Sequence, residues 1–220
     1  MKLTSFSVFL SILILACFTA TASADTIAIT NASFETVDPL HPLNQPCGAG
    51  CSFNAGPGSI PGWTLTGSGG LFQPGTAGFF TSPVPNGSIV AYDNGGTISQ
   101  TLTATLSPNT TYALSVDVGR RVDAGLTNFT IDLFAGNTLL NFLTVSNSTI
   151  TPGSFAPELL TFTTGANPLS GNLGIEFSNS FPVQVNYDNV MLSATSVSEP
   201  GSLALLAVGL GLAFFALRRR

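Results

Sequence analysis

The chain has almost no lysine. Lys2 is the only one among its 220 residues, and charged side chains make up just 8% of the total. It holds a single histidine, one tryptophan and three cysteines. The lone histidine, His41, sits in a proline-flanked loop, which leaves no basis for a Ser-His-Asp or Cys-His arrangement. No Walker-type or dinucleotide glycine fingerprint precedes a helical stretch. Windows rich in Ala, Leu, Glu and Lys, the residues of stable helices, are scarce as well. Familiar hydrolase chemistry is thereby disfavoured. Paired carboxylates remain available for acid–base work, but spacing alone brings no two of them to glycosidase separation.

Long apolar runs occur only at the two ends. Met1-Lys2, the run Phe6 to Phe18 and Ala22-Ser23-Ala24 before Asp25 form the three parts of a secretory signal peptide, residues 1–24. The run is too short for a comfortable bilayer span, which takes about 20 residues. Ile14-Leu15-Ala16-Cys17 offers an alternative lipidation site, with Leu15 bulky where a small residue is usual. At the other end, Ser198-Glu199-Pro200 precedes the apolar stretch 201–217 and Arg218-Arg219-Arg220. A short spanning helix followed by positive charge is a stop-transfer element. Residues 198–220 resemble the PEP-CTERM sorting signal of Gram-negative bacteria, with Ser198 standing where the first proline usually stands. The resemblance implies an exosortase-type protease as partner, inner-membrane anchoring through the helix before processing, and a cell-surface or extracellular destination. A plain, uncut membrane-anchored surface protein is the alternative.

The stretch between the ends, residues 25–197, is strongly acidic. Ten carboxylates lie between Asp25 and Asp188 against Arg120 and Arg121, a balance of −8. Such a surface repels phosphate backbones, so no nucleic-acid partner is expected, whereas cations are favoured. With Cys17 removed, Cys47 and Cys51 form an even pair in an exported chain and read as a disulfide. Zinc is the weaker reading, because this pair and His41 fall short of a four-ligand set. Sequons such as those at Asn31, Asn109, Asn128 and Asn147 arise easily in an Asn/Thr-rich chain, and N-glycosylation is not expected.

Thr, Val, Phe, Asn and Gly dominate this region, with frequent turn signals, which predicts an all-β fold. Residues 97–106 and 111–118 alternate apolar and polar side chains around Ser107-Pro108-Asn109-Thr110 and are expected to pair as a hairpin. Residues 129–134 and 139–145 flank Ala135-Gly136-Asn137-Thr138 as a second hairpin. Further strands are expected at 27–30, 62–66, 88–92, 158–164, 173–178 and 184–193, with long loops at 37–60 and 67–87. Ten short strands at this spacing imply an antiparallel jelly-roll β-sandwich.

Asn31-Ala32-Ser33-Phe34-Glu35 near the start and Tyr187-Asp188-Asn189-Val190 near the end resemble the first and last strands of galactose-binding-like jelly rolls, which include carbohydrate-binding modules and the calcium-dependent Stig cyclases. The likeness continues through Ile60-Pro61-Gly62-Trp63, Ile98 to Leu102, Thr110-Thr111-Tyr112 and Asp117-Val118-Gly119, in the same order as in the cyclases. It implies a structural calcium held by Glu35 and Asp188, aided by backbone carbonyls, and hard oxygen ligands suit that ion. The competing reading has Glu35 capping a turn and Asp188 forming a local Asx turn.

Phe72, Phe79, Phe80 and Tyr92 are the aromatic candidates for ligand contact, as a sugar-stacking or apolar surface. Trp63 reads as core. Arg120-Arg121 reads as a strand end pairing with Asp123, with an anionic ligand as the alternative. The cyclases carry Asp-x-Asp in the closing strand where this chain has Asn186 and Asp188, and an amide cannot donate a strongly acidic proton. The expectation is therefore an exported, non-catalytic, calcium-stabilised protein of the envelope or matrix that binds a glycan, possible polysaccharide contact included. A Stig-type cyclase acting on an isoprenylated indole is the enzyme-class alternative.

Overall fold

The structure, a computed structural model, describes residues 24–180 and 182–197. The signal peptide up to Ser23, the sorting residues Ser198, Glu199 and Pro200, and the expected helix 201–217 lie outside the described residues. Among the described residues no helix is long and apolar enough to cross a membrane. Ala24–Ser196 forms a compact unit.

Eleven antiparallel strands make up this unit: β1 (Ala24–Ile27), β2 (Gln45–Gly48), β3 (Cys51–Phe53), β4 (Thr64–Gln73), β5 (Val90–Thr105), β6 (Thr110–Arg120), β7 (Asn128–Ala135), β8 (Thr138–Ser146), β9 (Ser154–Thr163), β10 (Asn172–Asn179) and β11 (Val185–Ser196). One layer runs β2-β3-β4-β5-β10-β7-β8, and the other runs β1-β11-β6-β9. They join where Ala91–Asp93 of β5 pairs with Val185–Tyr187 of β11. Alternation explains the strands. In β6, Tyr112, Leu114, Val116 and Val118 are buried, and in β7 so are Phe129, Ile131 and Leu133. Phe177 of β10 stacks on Tyr187 of β11 at 4.8 Å, which closes one layer over the other. The arrangement is a jelly-roll β-sandwich.

The β7–β8 hairpin turns at Gly136-Asn137, with Ala135 opposite Thr138 and Gly136 at φ +57°. The hairpin expected from residues 97–106 and 111–118 does not form. β5 pairs with β4 and β10, whereas β6 pairs with β11 and β9. Both strands point apolar residues inward, but from opposite layers, so the turn between them crosses the sandwich. It is held by the Ser107 amide donating to the Tyr112 hydroxyl (2.7 Å) and the Thr110 amide donating to Thr164 Oγ1 (2.9 Å).

The segments expected as separate strands at 88–92 and 97–106 form one strand, β5, that bends at Gly95-Gly96. Gly67 of β4 faces this bend at φ +75°, and a Cβ there would collide with the Gly95 carbonyl. The close approach lets the first residues of β5 reach β11. The expected loop 67–87 is shorter, because β4 continues to Gln73, and the expected loop 37–60 contains the β2–β3 hairpin. The first strand is Ala24–Ile27, not 27–30. Trp63 is core, 6% exposed and lying between Phe34 (5.4 Å) and Phe177 (5.6 Å).

Candidate functional site

The opening motif is a tight turn. Asn31 and Phe34 both adopt positive φ (51° and 58°), and the Phe34 amide donates to the Asn31 carbonyl. The Asn31 side chain ties the turn to the carbonyls of Thr36 and Pro61, and fully buried Phe34 anchors it. The closing motif meets it where the Val190 amide donates to the Ala32 carbonyl (2.9 Å). Glu35 Oε1 then accepts from the amides of Ser88 (2.8 Å) and Ile89 (2.6 Å). Asp188 Oδ2 accepts from the Asn86 amide (2.8 Å) and Oδ1 from the Asn189 amide (2.7 Å).

The two carboxylates thus grip one segment, 86–89. Gly87 sits over Glu35 at φ +77°, leaving no room for a Cβ. Asp188 is fully buried, and burial pushes its carboxyl up to about 7. The two amides oppose that rise, while the charges of Glu35 and Asp117 add to it. Among the described residues no three His, Cys, Asp or Glu side chains converge as a metal-ligand group. Any ion between Glu35 and Asp188 would therefore draw its other ligands from backbone or water oxygens, as hard cations accept.

The aromatic candidates form a second apolar cluster, separate from the main core, with Cys51, Phe53, Val90 and Phe155. They do not make an open stacking surface. Phe72 and Tyr92 lie on β4 and β5 and are 3% and 5% exposed. Phe80 is stacked on Phe155 at 4.6 Å, and the face of Phe79 is covered by the Arg121 guanidinium at 4.0 Å. The chain gains more by burying these rings edge-to-face (Phe72–Phe79 5.6 Å, Phe53–Tyr92 6.2 Å) than by presenting them to water.

Between them remains a cavity of about 170 Å³, bordered by Phe53, Phe72, Phe79, Tyr92, Arg121 and Gln184. Cys47 also borders it and is joined to Cys51 by a disulfide across the β2–β3 turn, Cα–Cα 5.1 Å. Arg121 is fixed by two bonds to Asp123 (2.9 and 2.6 Å) and one to Gln184 (2.7 Å). The Tyr92 hydroxyl donates to the Asn54 carbonyl (2.8 Å), and burial pushes its pKa up to about 12. Asn186 faces Tyr92 directly across the β11–β5 ladder and is fully buried, with no hydrogen-bond acceptor for its amide nitrogen.

Sequence reasoning missed Arg121 as a lid over Phe79 and Phe72 (4.0 and 5.7 Å), since cation–π contact depends on tertiary placement. It also missed Asp93. That carboxyl is fully buried beside Tyr187, with one oxygen unpartnered, and burial pushes it up to about 6. The single histidine pairs with Asp38 (3.2 Å).

The protein family described as HpiC1 cyclase matches residues 25–193, and the PEP-CTERM protein-sorting motif matches residues 196–220. That motif implies export to the cell surface or beyond. No curated protein matches the chain. Among solved structures, an apo cyclase from Fischerella sp. is 28% identical, with 78% of this chain and 97% of that one covered at a TM-score of 0.62. A Stig cyclase from Fischerella sp. TAU in complex with (3Z)-3-(1-methyl-2-pyrrolidinylidene)-3H-indole is 27% identical, covering 78% and 98% at 0.63. A cyclase from the same source in complex with 4-(1H-indol-3-yl)butan-2-one is 25% identical, covering 80% and 100% at 0.63.

Proposed function

The chain belongs to the HpiC1-like family, and we propose that it is an exported, surface-directed member that binds a small planar aromatic molecule, indole-like in shape, without transforming it. The observation that carries this reading is the chemistry of the aromatic cavity. Its lining holds four aromatic rings, one arginine and amides, and no carboxyl or imidazole group. An apolar cavity of roughly 150 Å³ takes up benzene, so about 170 Å³ suits one flat ring system better than an extended chain. Two related cyclases are seen with indole compounds bound.

Protonating an indole carbon takes an acid stronger than anything in this lining. The Tyr92 phenol in the lining is raised to about 12, and Asn186, across the ladder from Tyr92, is an amide. Calcium, on this reading, is structural and is held by Glu35 and Asp188. A fully buried carboxylate beside two others, with no basic side chain paired to it, is the charge pattern a cation relieves. The exosortase-type protease is the proposed processing partner, and the C-terminal segment the proposed membrane anchor before cleavage. Calorimetric titration of the full-length protein with 4-(1H-indol-3-yl)butan-2-one tests the binding.

A further inference from the structure

The outward face of β4, β5, β10, β7 and β8 carries an arrangement that neither the cavity nor the Glu35–Asp188 region uses. In register across the five strands run Thr64, Ser99, Glu176, Asp132 and Phe142. The next row is Thr66, Thr97, Ser178, Thr130 and Thr144. Its hydroxyls pair across strands, Thr66 with Thr97 at 2.7 Å and Thr130 with Ser178 at 2.5 Å. On the other side of the charged row, Thr101, Gly174 and Phe134 align, and with Ser99, Asn137 and Glu176 they border a depression of about 310 Å³.

Three features of this face do nothing for the fold. Glu176 stands directly opposite Asp132, and like charges so placed on neighbouring strands are destabilising. Both are half-buried, and burial together with the Glu176 charge raises the Asp132 carboxyl. Neither arginine of the described residues relieves them: Arg120 donates to the carbonyls of Asn147 and Ile150, and Arg121 to Asp123 and Gln184. Phe142 keeps 57% of its surface in water beside the charged pair. Gly174 is not required by backbone conformation, and a Cβ there would meet only ordinary contacts, Phe134 Cβ at 3.5 Å and the Gln100 carbonyl at 3.8 Å. Its bareness keeps the depression open.

We propose that this sheet face is a second ligand site, a groove for a segment of neutral polysaccharide that stacks on Phe142 and Phe134 and donates hydroxyl hydrogen bonds to Glu176 and Asp132. Charge complementarity selects the occupant. Carboxylates accept from sugar hydroxyls without needing a cationic group, while the acidic surface repels uronate or sulfated chains. The site is independent of the aromatic cavity and stands whether or not that cavity binds an indole.

The test is native affinity electrophoresis of the detergent-solubilised full-length protein in gels containing hydroxyethyl cellulose, laminarin or dextran, with dextran sulfate as the charged comparison. At least one neutral polymer should retard the protein and dextran sulfate should not. Glu176→Gln and Phe142→Ala should each weaken retardation about tenfold, the loss expected for one charge-assisted hydrogen bond or one stacking contact. Gly174→Leu should abolish it by filling the depression, while Phe79→Ala, in the aromatic cavity, should leave it intact. Melting curves matched to the parent protein establish that the variants are folded, and Glu176→Gln carries the test if Gly174→Leu does not fold. No retardation by any neutral polymer overturns the proposal. So does retardation that Glu176→Gln and Phe142→Ala leave unchanged, that only Phe79→Ala removes, or that tracks self-association of the chain.

Discussion

Glu35 and Asp188, 153 positions apart in the chain, hold the same short segment: Glu35 takes the amides of Ser88 and Ile89, and Asp188 takes the amide of Asn86. The first and last motifs of the domain are thereby locked to the loop that leads into β5, and so to Tyr92 at the cavity wall. A cation bound by these carboxylates would stabilise the folded state by mass action, by about 2.7 kcal/mol at a hundredfold excess over its Kd. For a domain of this size that corresponds to roughly 5–10 °C in Tm. Thermal melting with calcium and with EDTA should therefore differ by that amount, and Asp188→Ala should remove the difference. Identical curves for the parent protein with and without the ion would end the calcium reading.

Asp93 gives a pH signature that does not involve the ion. Its folded-state carboxyl is raised from 3.8 to about 6 by burial, with the Gly95 amide partly opposing the rise. A carboxyl raised on folding contributes stability that is complete below its unfolded pKa and is lost as pH climbs through the folded value. The Asp93 contribution to denaturant stability should thus fall between about pH 4 and pH 6, by on the order of 3 kcal/mol, while Asp188, raised to about 7, extends the decline to higher pH. Asp93→Asn keeps an acceptor for the Gly95 amide and removes the charge. It should make this part of the profile shallower and be the more stable protein at pH 8. A variant with the parent's slope would show that the buried charge is relieved by something else.

Asn186 sets the catalytic prediction. It occupies a fully buried position opposite Tyr92. A carboxyl at that place would be desolvated and stay protonated near neutral pH, which is the condition for a general acid. The parent protein should release no cyclised product from an isoprenylated indole, and Asn186→Asp should release some, measured by chromatography with mass detection. Product from the parent protein would contradict a non-catalytic reading.

How much of this was legible in the sequence follows from how local each feature is. The alternation in 111–118, 129–134 and 173–178 names the buried faces, because each strand has one face in the core. The β7–β8 hairpin is encoded within four residues by Gly136-Asn137. The partner of β6 is not local. Residues 97–106 and 111–118 have the same period and a good turn between them, yet they belong to opposite layers, and only the interior packing of Ile98, Leu102, Leu114 and Val116 decides that. Glu35 and Asp188 could be paired through the motifs around them. The aromatic cavity was only half visible: Phe72, Phe79, Phe80 and Tyr92 stood out by residue type, but their burial and the Arg121 lid are products of tertiary contact. Asp93, one residue past Tyr92, gave no signal. Nor did Glu176 and Asp132, which become neighbours only through the β10–β7 register.

The most direct measurement is calorimetric titration of the full-length protein with 4-(1H-indol-3-yl)butan-2-one in calcium-containing buffer. The account predicts saturable one-site binding that Phe79→Ala weakens at least about tenfold, since that change removes both a ring from the wall and the platform under Arg121. An absence of saturable heat, or binding that Phe79→Ala leaves unaltered, would contradict it.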